Sequence, residues 1–228
     1  MGACGVSEAQ QNRNGQESQS TQAYVALEQA IILGELKPNA VISEAELMTT
    51  MGFGRTPLRE AIQRLAKDRL VTIVPYRGAF VAPIDPLIEL TLLEMRRELD
   101  PVLVRTAAEL ATPEQRTELR QLAEETRRLL AKDDRVAAVK IDAIVKKLLL
   151  EISANPYLTM VMRPIYALSR RFYFNVVRQP GSAINTHYNA LLENVADNHP
   201  NKACAAAIAF LEELESFARG VLLGGTPR

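Results

Sequence analysis

A single change of hydrophobic period constrains the fold of this chain more than any other feature. Apolar residues recur at helical spacing along most of the sequence, but residues 71–84, VTIVPYRGAFVAPI, carry β-branched runs on both sides of a Pro-Tyr-Arg-Gly sequence at 75–78. This pattern predicts a β-hairpin whose turn is eased by a glycine. Beyond Pro86 we find no convincing strand pattern, so the predicted fold class is mainly α.

Three helices are predicted before the hairpin. The first covers residues 22–36, where apolar side chains form one stripe. A short second helix follows Ser43 and Glu46, whose spacing is that of a capping box. The third helix begins near RTPLREAIQRL, with Thr56 as its cap and Pro57 in its first turn. Helix, short helix, turn, helix and hairpin follow one another as in a winged helix-turn-helix.

The rest of the chain is predicted to be an antiparallel α-helical bundle, because its helices are long and their connections short. Five or six amphipathic helices are expected at 87–110, 113–132, 134–153, 156–178, 182–198 and 200–223. The sequence therefore predicts a disordered tail at 1–21, a winged helix-turn-helix domain at 22–84 and an all-helical domain at 85–228, with Asp85 in the linker.

Composition excludes several classes of protein. Hydrophobic residues make up 47% of the chain, which is enough for a core, and two cysteines do not make a disulfide framework. Two histidines cannot build a histidine-rich metal site. No apolar run is long enough to span a membrane and the N-terminus lacks a signal core, so we expect a cytoplasmic protein. Motifs of nucleophilic, nucleotide-binding or dinucleotide chemistry are absent, so no catalytic residue is assigned and no enzyme is expected.

Charge is balanced overall but segregated along the chain. Lysine and arginine number 27 and aspartate and glutamate 27, yet residues 54–78 hold six basic and two acidic side chains, a difference of +4. Basic side chains at the start of a recognition helix and on a wing suit phosphate and base contacts in DNA. An ordinary solvated helix face is the alternative explanation. The predicted DNA-binding residues are Arg55, Thr56, Arg59, Arg77 and Gly78.

The same residues carry a family resemblance. The Arg-Thr-Pro-x-Arg-Glu-Ala core at 55–61 and the Arg-Gly-x-x-Val wing at 77–81 resemble the DNA-binding domain of the GntR family of bacterial transcription regulators. Two positions depart from the family pattern. Gly54 stands where the family usually has serine, and Arg69 where it usually has glycine. The resemblance implies DNA binding as a two-fold homodimer, and therefore a palindromic operator in double-stranded DNA.

The helical remainder resembles the FCD effector domain found in the FadR-type branch of that family. Many such domains hold a divalent metal with one aspartate and three histidines, and the matching positions here are Asp142, Lys146, Tyr188 and Phe210. His187 lies one residue from its expected place, and a different alignment restores that one histidine only. The resemblance thus implies a lost metal site, no metal ligand and no cofactor, with the charge of Lys146 in place of the metal.

Two arrangements of these residues remain open at this point. Asp142 and Lys146 could form an ion pair inside the bundle, or Lys146 and Arg96 could receive the carboxylate of an effector. The predicted effector-binding residues are Arg96, Asp142, Lys146, Tyr188 and Phe210. Arg170 and Arg171, by contrast, are assigned to a solvated face or a dimer contact.

The function expected from these features is a sequence-specific transcription regulator, acting as a repressor and controlled by a small-molecule effector such as an organic acid. Two alternatives belong to other classes. One is an enzyme built on the helical domain, and the other is an interaction module with a vestigial DNA-binding domain.

Overall fold

The computed structural model describes residues 18–176 and 182–224, without the side chains of 182–185, and these divide into two compact units. The first unit contains residues up to 31 and 39–82, and the second contains 32–38 and the chain from 83 onward. The expected disordered tail lies almost entirely outside the described residues. None of the helices within the described parts has both the length and the apolar character needed to cross a membrane.

The first unit contains three helices and three short strands. They are α1 (Gln19–Ile32), β1 (Val41–Ile42), α2 (Glu44–Met51), α3 (Arg55–Lys67), β2 (Val71–Val74) and β3 (Gly78–Val81). The predicted inward positions of α3, Leu58, Ile62 and Leu65, are buried. The hydroxyl of Ser43 accepts a hydrogen bond from the Glu46 backbone N–H at 3.3 Å, which is the cap predicted for α2.

Two details at the helix ends differ from the prediction. α1 begins three residues earlier and ends at Ile32, with Gly34 in a left-handed conformation just beyond. α3 starts at Arg55, so Gly54 is its N-cap and Thr56 and Pro57 lie inside the first turn. The interpretation of Thr56 as a cap was therefore wrong, because the chain already turns into the helix at Gly54.

The hairpin belongs to a three-stranded antiparallel sheet with the order β1-β3-β2. β2 and β3 pair as predicted, with Val71 opposite Val81 and Val74 opposite Gly78. β1 was not predicted because two residues are too short for an alternating pattern to be recognised. Val41 of this strand pairs with Phe80, along the edge of β3 that does not face β2.

The second unit is a bundle of six helices within the described residues. They are α4 (Pro86–Leu110), α5 (Pro113–Ala131), α6 (Arg135–Ser153), α7 (Pro156–Val176), α8 (Ser182–Ala196) and α9 (Pro200–Leu222). Each begins within one residue of its predicted start and ends within two of its predicted end. Helix α9 packs along α4 and α8, and α6 packs against α4, α5 and α7.

Local caps explain why the bundle helices begin where they do. Thr112 and Gln115 form the predicted reciprocal capping box at the start of α5. The side chain of Asn155 accepts from the backbone N–H groups of Tyr157 and Leu158, both at 3.1 Å. Asp85, assigned to the linker, instead caps α4 by accepting from the Leu87 backbone N–H at 2.9 Å.

Candidate functional site

The predicted DNA-binding residues of α3 share one exposed surface. Arg55, Thr56 and Arg59 are all exposed, and they lie in the first turn and a half of the helix. Gly54 offers no side-chain cap, so backbone N–H groups at this helix start have no side-chain acceptor there. Such groups and the positive end of the helix dipole suit a phosphate.

Arg59 is held by an acidic residue that the sequence analysis did not single out. Its Nε donates to both carboxylate oxygens of Glu44, at 3.0 and 2.9 Å. The two terminal nitrogens of the guanidinium are left for other acceptors, and an arginine reads guanine with a pair of donors of this kind. Arg64 was expected to face outward, but its guanidinium stacks 4.4 Å from the ring centroid of Tyr24 in α1.

The wing presents its predicted residues at the tip of the hairpin. Arg77 is exposed, and its backbone N–H closes the turn on the Val74 carbonyl at 3.0 Å. Gly78 has φ of 96°, a conformation that favours glycine. Tyr76, which the sequence analysis passed over, has a fully exposed ring at the same tip.

All five predicted effector residues line one cavity of about 180 Å³ in the second unit. Arg96, Lys146, Tyr188 and Phe210 are buried, and Asp142 is half-buried. An engineered cavity of roughly 150 Å³ admits benzene, so this volume suits a compact organic molecule. The remaining lining residues come from α5, α6, α7 and α9: Thr126, Leu130, Arg135, Ala138, Val139, Tyr166, Ser169, Arg170, Tyr173, Phe174 and Leu214.

Lys146 has an unusual environment in this cavity. Its side chain is 5% exposed, and its Nζ has no hydrogen-bond or ion-pair partner among the described residues. Three aromatic rings surround it, with centroids at 4.8 Å for Tyr166, 5.2 Å for Tyr188 and 5.7 Å for Phe210. Burial lowers the pKa of Lys146, while the nearby carboxylates of Asp100 and Asp142 oppose that shift.

Arg96 is paired with an acidic residue that the sequence analysis missed. Arg96 donates from Nε and Nη2 to Oδ2 of Asp100, at 3.2 and 3.0 Å. Although burial opposes the charged form, Asp100 keeps the pKa of Arg96 above its usual range. The Tyr166 hydroxyl donates to the second Asp100 oxygen at 2.7 Å, which completes a buried network at the base of the cavity.

Asp142 is paired with Arg170 and not with Lys146, so the ion pair along α6, one of the two arrangements left open by the sequence, does not form. Nε of Arg170 lies 3.3 Å from Asp142 Oδ2, and the Tyr188 hydroxyl donates to Oδ1 at 2.8 Å. Arg170 is 9% exposed and Arg171 is buried, so neither lies on the solvated face assigned to them. The inward position of Arg170 was predictable, since Tyr166, Arg170 and Tyr173 recur at helical spacing on one face of α7.

A second buried acid lies behind the cavity wall. Glu89 is 1% exposed and accepts from the Ser169 hydroxyl at 2.9 and 3.1 Å. Burial raises the pKa of Glu89 to about 7, against the opposing effect of Arg96. The carboxyl group therefore changes charge near neutral pH.

The side chains at the family's metal positions do not suit a divalent cation. Lys146 is a cation when protonated, Phe210 has no lone pair and the Tyr188 hydroxyl donates a hydrogen bond to Asp142. His187 is half-buried and does not line the cavity. Among the described residues there is no group of three or more His, Cys, Asp or Glu side chains that could hold a metal ion.

Known proteins with similar sequences match this chain over shares of its length that range from about a third to most of it. The chain is 28% identical to the galactonate operon transcriptional repressor of Escherichia coli over 65% of this chain and 73% of that protein. It is 26% identical to the uncharacterized regulator YieP of E. coli, over 85% and 94% respectively. A stronger identity, 39% to a Streptomyces ambofaciens regulator, covers only 36% of this chain and 39% of that one.

The fold is also found among solved structures. E. coli McbR/YncC superposes with a TM-score of 0.79 at 19% identity, covering 91% of this chain and all of that one. The sequence pattern of the gntR family of bacterial regulatory proteins matches residues 19–81, and that of the FCD domain matches residues 91–213. The chain therefore belongs to the GntR family of transcription regulators, in the group that carries an FCD domain.

Proposed function

We propose that this regulator binds a palindromic operator as a homodimer in the cytoplasm, and that a small organic acid in the cavity of the helical domain controls its binding. Repression is the proposed mode, in line with the name of the galactonate operon repressor. The helical domain binds its ligand without transforming it. A proposed boundary near residue 84 separates the DNA-binding part from the effector-binding part.

The environment of Lys146 is the observation that carries the effector proposal. An ammonium group has three donors, and on the wall of this cavity no described residue accepts a hydrogen bond from those of Lys146. Four cationic side chains and one carboxylate line the cavity, so its lining is positively charged. A carboxylate ligand supplies both the missing acceptor and the missing negative charge.

The ligand is proposed to bind without a metal ion, because the ammonium of Lys146 provides the positive charge. Metal analysis of protein purified without chelator tests this point. We expect no stoichiometric zinc or nickel, and no change in anion affinity after dialysis against a chelator. Stoichiometric metal that survives dialysis would refute the metal-free site.

The DNA-binding proposal is tested on an operator selected from random-sequence DNA with the full-length protein. Arg59→Ala removes a donor pair that suits guanine, and we expect specific affinity to fall by about 1–3 kcal/mol, with a much smaller change for random DNA. Arg105→Ala, an exposed arginine on α4, is the matched control. Equal discrimination between operator and random DNA by wild type and Arg59→Ala would remove Arg59 from the interface.

A further inference from the structure

The cavity extends along one face of helix α6. Its lining residues on this helix are Arg135, Ala138, Val139, Asp142 and Lys146, which lie at i, i+3, i+4, i+7 and i+11. Eleven residues correspond to about three turns and a rise of roughly 16 Å. Arg135 and Lys146 therefore mark opposite ends of the same lined face.

Helix α7 follows the same face in the opposite direction. The Tyr166 ring lies 4.8 Å from Nζ of Lys146 at one end. At the other end the Phe174 ring lies 5.2 Å from the guanidinium carbon of Arg135, and the Phe174 carbonyl accepts from Nη2 of Arg135 at 2.5 Å. These two contacts show that the cavity has an α7 residue beside each terminal cation.

The charged residues along this face differ in the kinds of contact they make. In the middle, Asp142 is ion-paired with Arg170, and at the base Arg96 is paired with Asp100. Lys146 stands at the buried end without an acceptor among the described residues. At the half-buried end Arg135 lines the cavity with a guanidinium, a group that carries five donors and can bind an anion while it keeps a carbonyl contact.

The wall between the two ends carries the Asp142–Arg170 ion pair, with apolar side chains on either side of it. Ala138 and Val139 lie on α6 between the terminal cations, and Leu130 and Leu214 contribute from α5 and α9. Aliphatic walls favour a methylene chain over a polyhydroxylated one, because hydroxyl groups buried there would lose their hydrogen bonds to water.

We infer that the ligand of this cavity is an elongated dianion, with one carboxylate on Lys146, an aliphatic spacer along α6 and a second acidic group on Arg135. This inference rests on the proposed effector site and adds the second anchor and the ligand's length. It assigns to Arg135 a binding role that the sequence analysis did not give it.

Calorimetric titration of the full-length protein with two series of acids tests the inference. The dicarboxylates are succinate, glutarate, adipate and pimelate, and the matched monocarboxylates are butyrate, pentanoate, hexanoate and heptanoate. We expect one dicarboxylate length to bind at least about tenfold tighter than its monocarboxylate, the size of effect that a single charge-assisted contact gives. Equal affinity in the two series would overturn the two-ended site.

Variants separate this inference from the proposed function beneath it. Arg135→Gln should weaken binding of the dicarboxylates at least about tenfold more than binding of the monocarboxylates, whereas Arg135→Lys should retain part of the dicarboxylate preference. Lys146→Met should abolish binding of both series, and Lys140→Gln, an exposed residue of the same helix, should change neither.

Three outcomes count against the proposals in different ways. If Arg135→Gln weakens both series equally, Arg135 supports the fold and the second anchor is refuted. If monocarboxylates bind through Lys146 with no gain from a second carboxylate, the dianion is refuted but the effector site stands. If no acid binds, or if Lys146→Met binds as wild type, both proposals fail.

Discussion

Lys146→Met should make the ligand-free protein more stable while it abolishes ligand binding. The ammonium of Lys146 is buried among three aromatic rings, and the described residues offer it no direct acceptor. Methionine keeps a flexible unbranched chain of similar length and removes the charge. Most of the packing of the lysine stem is therefore preserved.

The size of the effect follows from three contributions. Replacing a buried ion pair by apolar residues of similar volume is neutral or stabilising by about 1–4 kcal/mol, and Lys146 lacks the close partner that such a pair has. Losing the ammonium–ring contacts costs roughly 0.5–2 kcal/mol. Asp100 and Asp142 lose some attraction, but each retains an arginine partner. We expect a net gain of about 1–2 kcal/mol, which raises Tm by about 2–8 °C in a chain of this size.

Thermal denaturation of the two full-length proteins without added acids measures this change. Lys147→Met is the control, because Lys147 is 73% exposed and its ion pair with Glu151 has an N–O distance of 3.7 Å. That control should shift stability by less than about 0.5 kcal/mol. A Tm for Lys146→Met below that of Lys147→Met would show that the ammonium stabilises the free protein, and the argument from an unmet charge would be refuted.

Four further changes have expected outcomes. Burial lowers the pKa of Lys146, and a bound carboxylate favours its ammonium form. The affinity for adipate, measured by calorimetry from about pH 6 to about pH 10, should therefore fall as pH rises through that lowered pKa, and binding should be accompanied by proton uptake. Burial raises the pKa of Glu89 to about 7 from 4.5, so the free energy of unfolding should decline as pH rises between these values. Glu89→Gln keeps an acceptor for the Ser169 hydroxyl and stays uncharged, so its free energy of unfolding in urea should exceed that of wild type by about 1–3 kcal/mol at about pH 8 and equal it at about pH 4. Thr112→Ala removes one half of the α5 capping box and should lower the free energy of unfolding by about 1 kcal/mol in the same urea assay. An unchanged urea midpoint would contradict this role of the cap. Arg69 has φ of 62°, so Arg69→Gly should relieve a left-handed strain of about 1–2 kcal/mol, partly offset by glycine's entropy, and a lower Tm would contradict this.

Helix positions were predictable because their signals are local. Thr112 with Gln115 and Asn155 before a proline define helix starts through hydrogen bonds within a single turn. β1 was missed because a two-residue strand is defined only by its partner, which lies far along the chain at residues 79–80. The start of α3 was misplaced because Gly54 has no side chain that marks it as a cap.

The sequence predicted five of the residues that line the cavity, but not which charged side chains pair with one another. Asp142 and Lys146 share a face of α6, which spacing alone establishes, but the choice of Arg170 as the partner of Asp142 depends on how α7 packs. The ion pair between Arg59 and Glu44 was missed for the same reason, because it joins two helices through side chains that are 15 residues apart. Sequence spacing determines neighbours on one helix, and packing determines neighbours between helices.

The unmet charge of Lys146 also has a consequence for the lifetime of the protein in a cell. A ligand that binds only the folded state adds about 2.7 kcal/mol of stability at a hundredfold excess over its Kd, and proteases act on the unfolded fraction. Ligand-free molecules would therefore be degraded faster than occupied ones. The effector would then set how much regulator accumulates as well as which state it adopts, and genes under its control would respond to a sustained supply of the acid differently from a brief pulse.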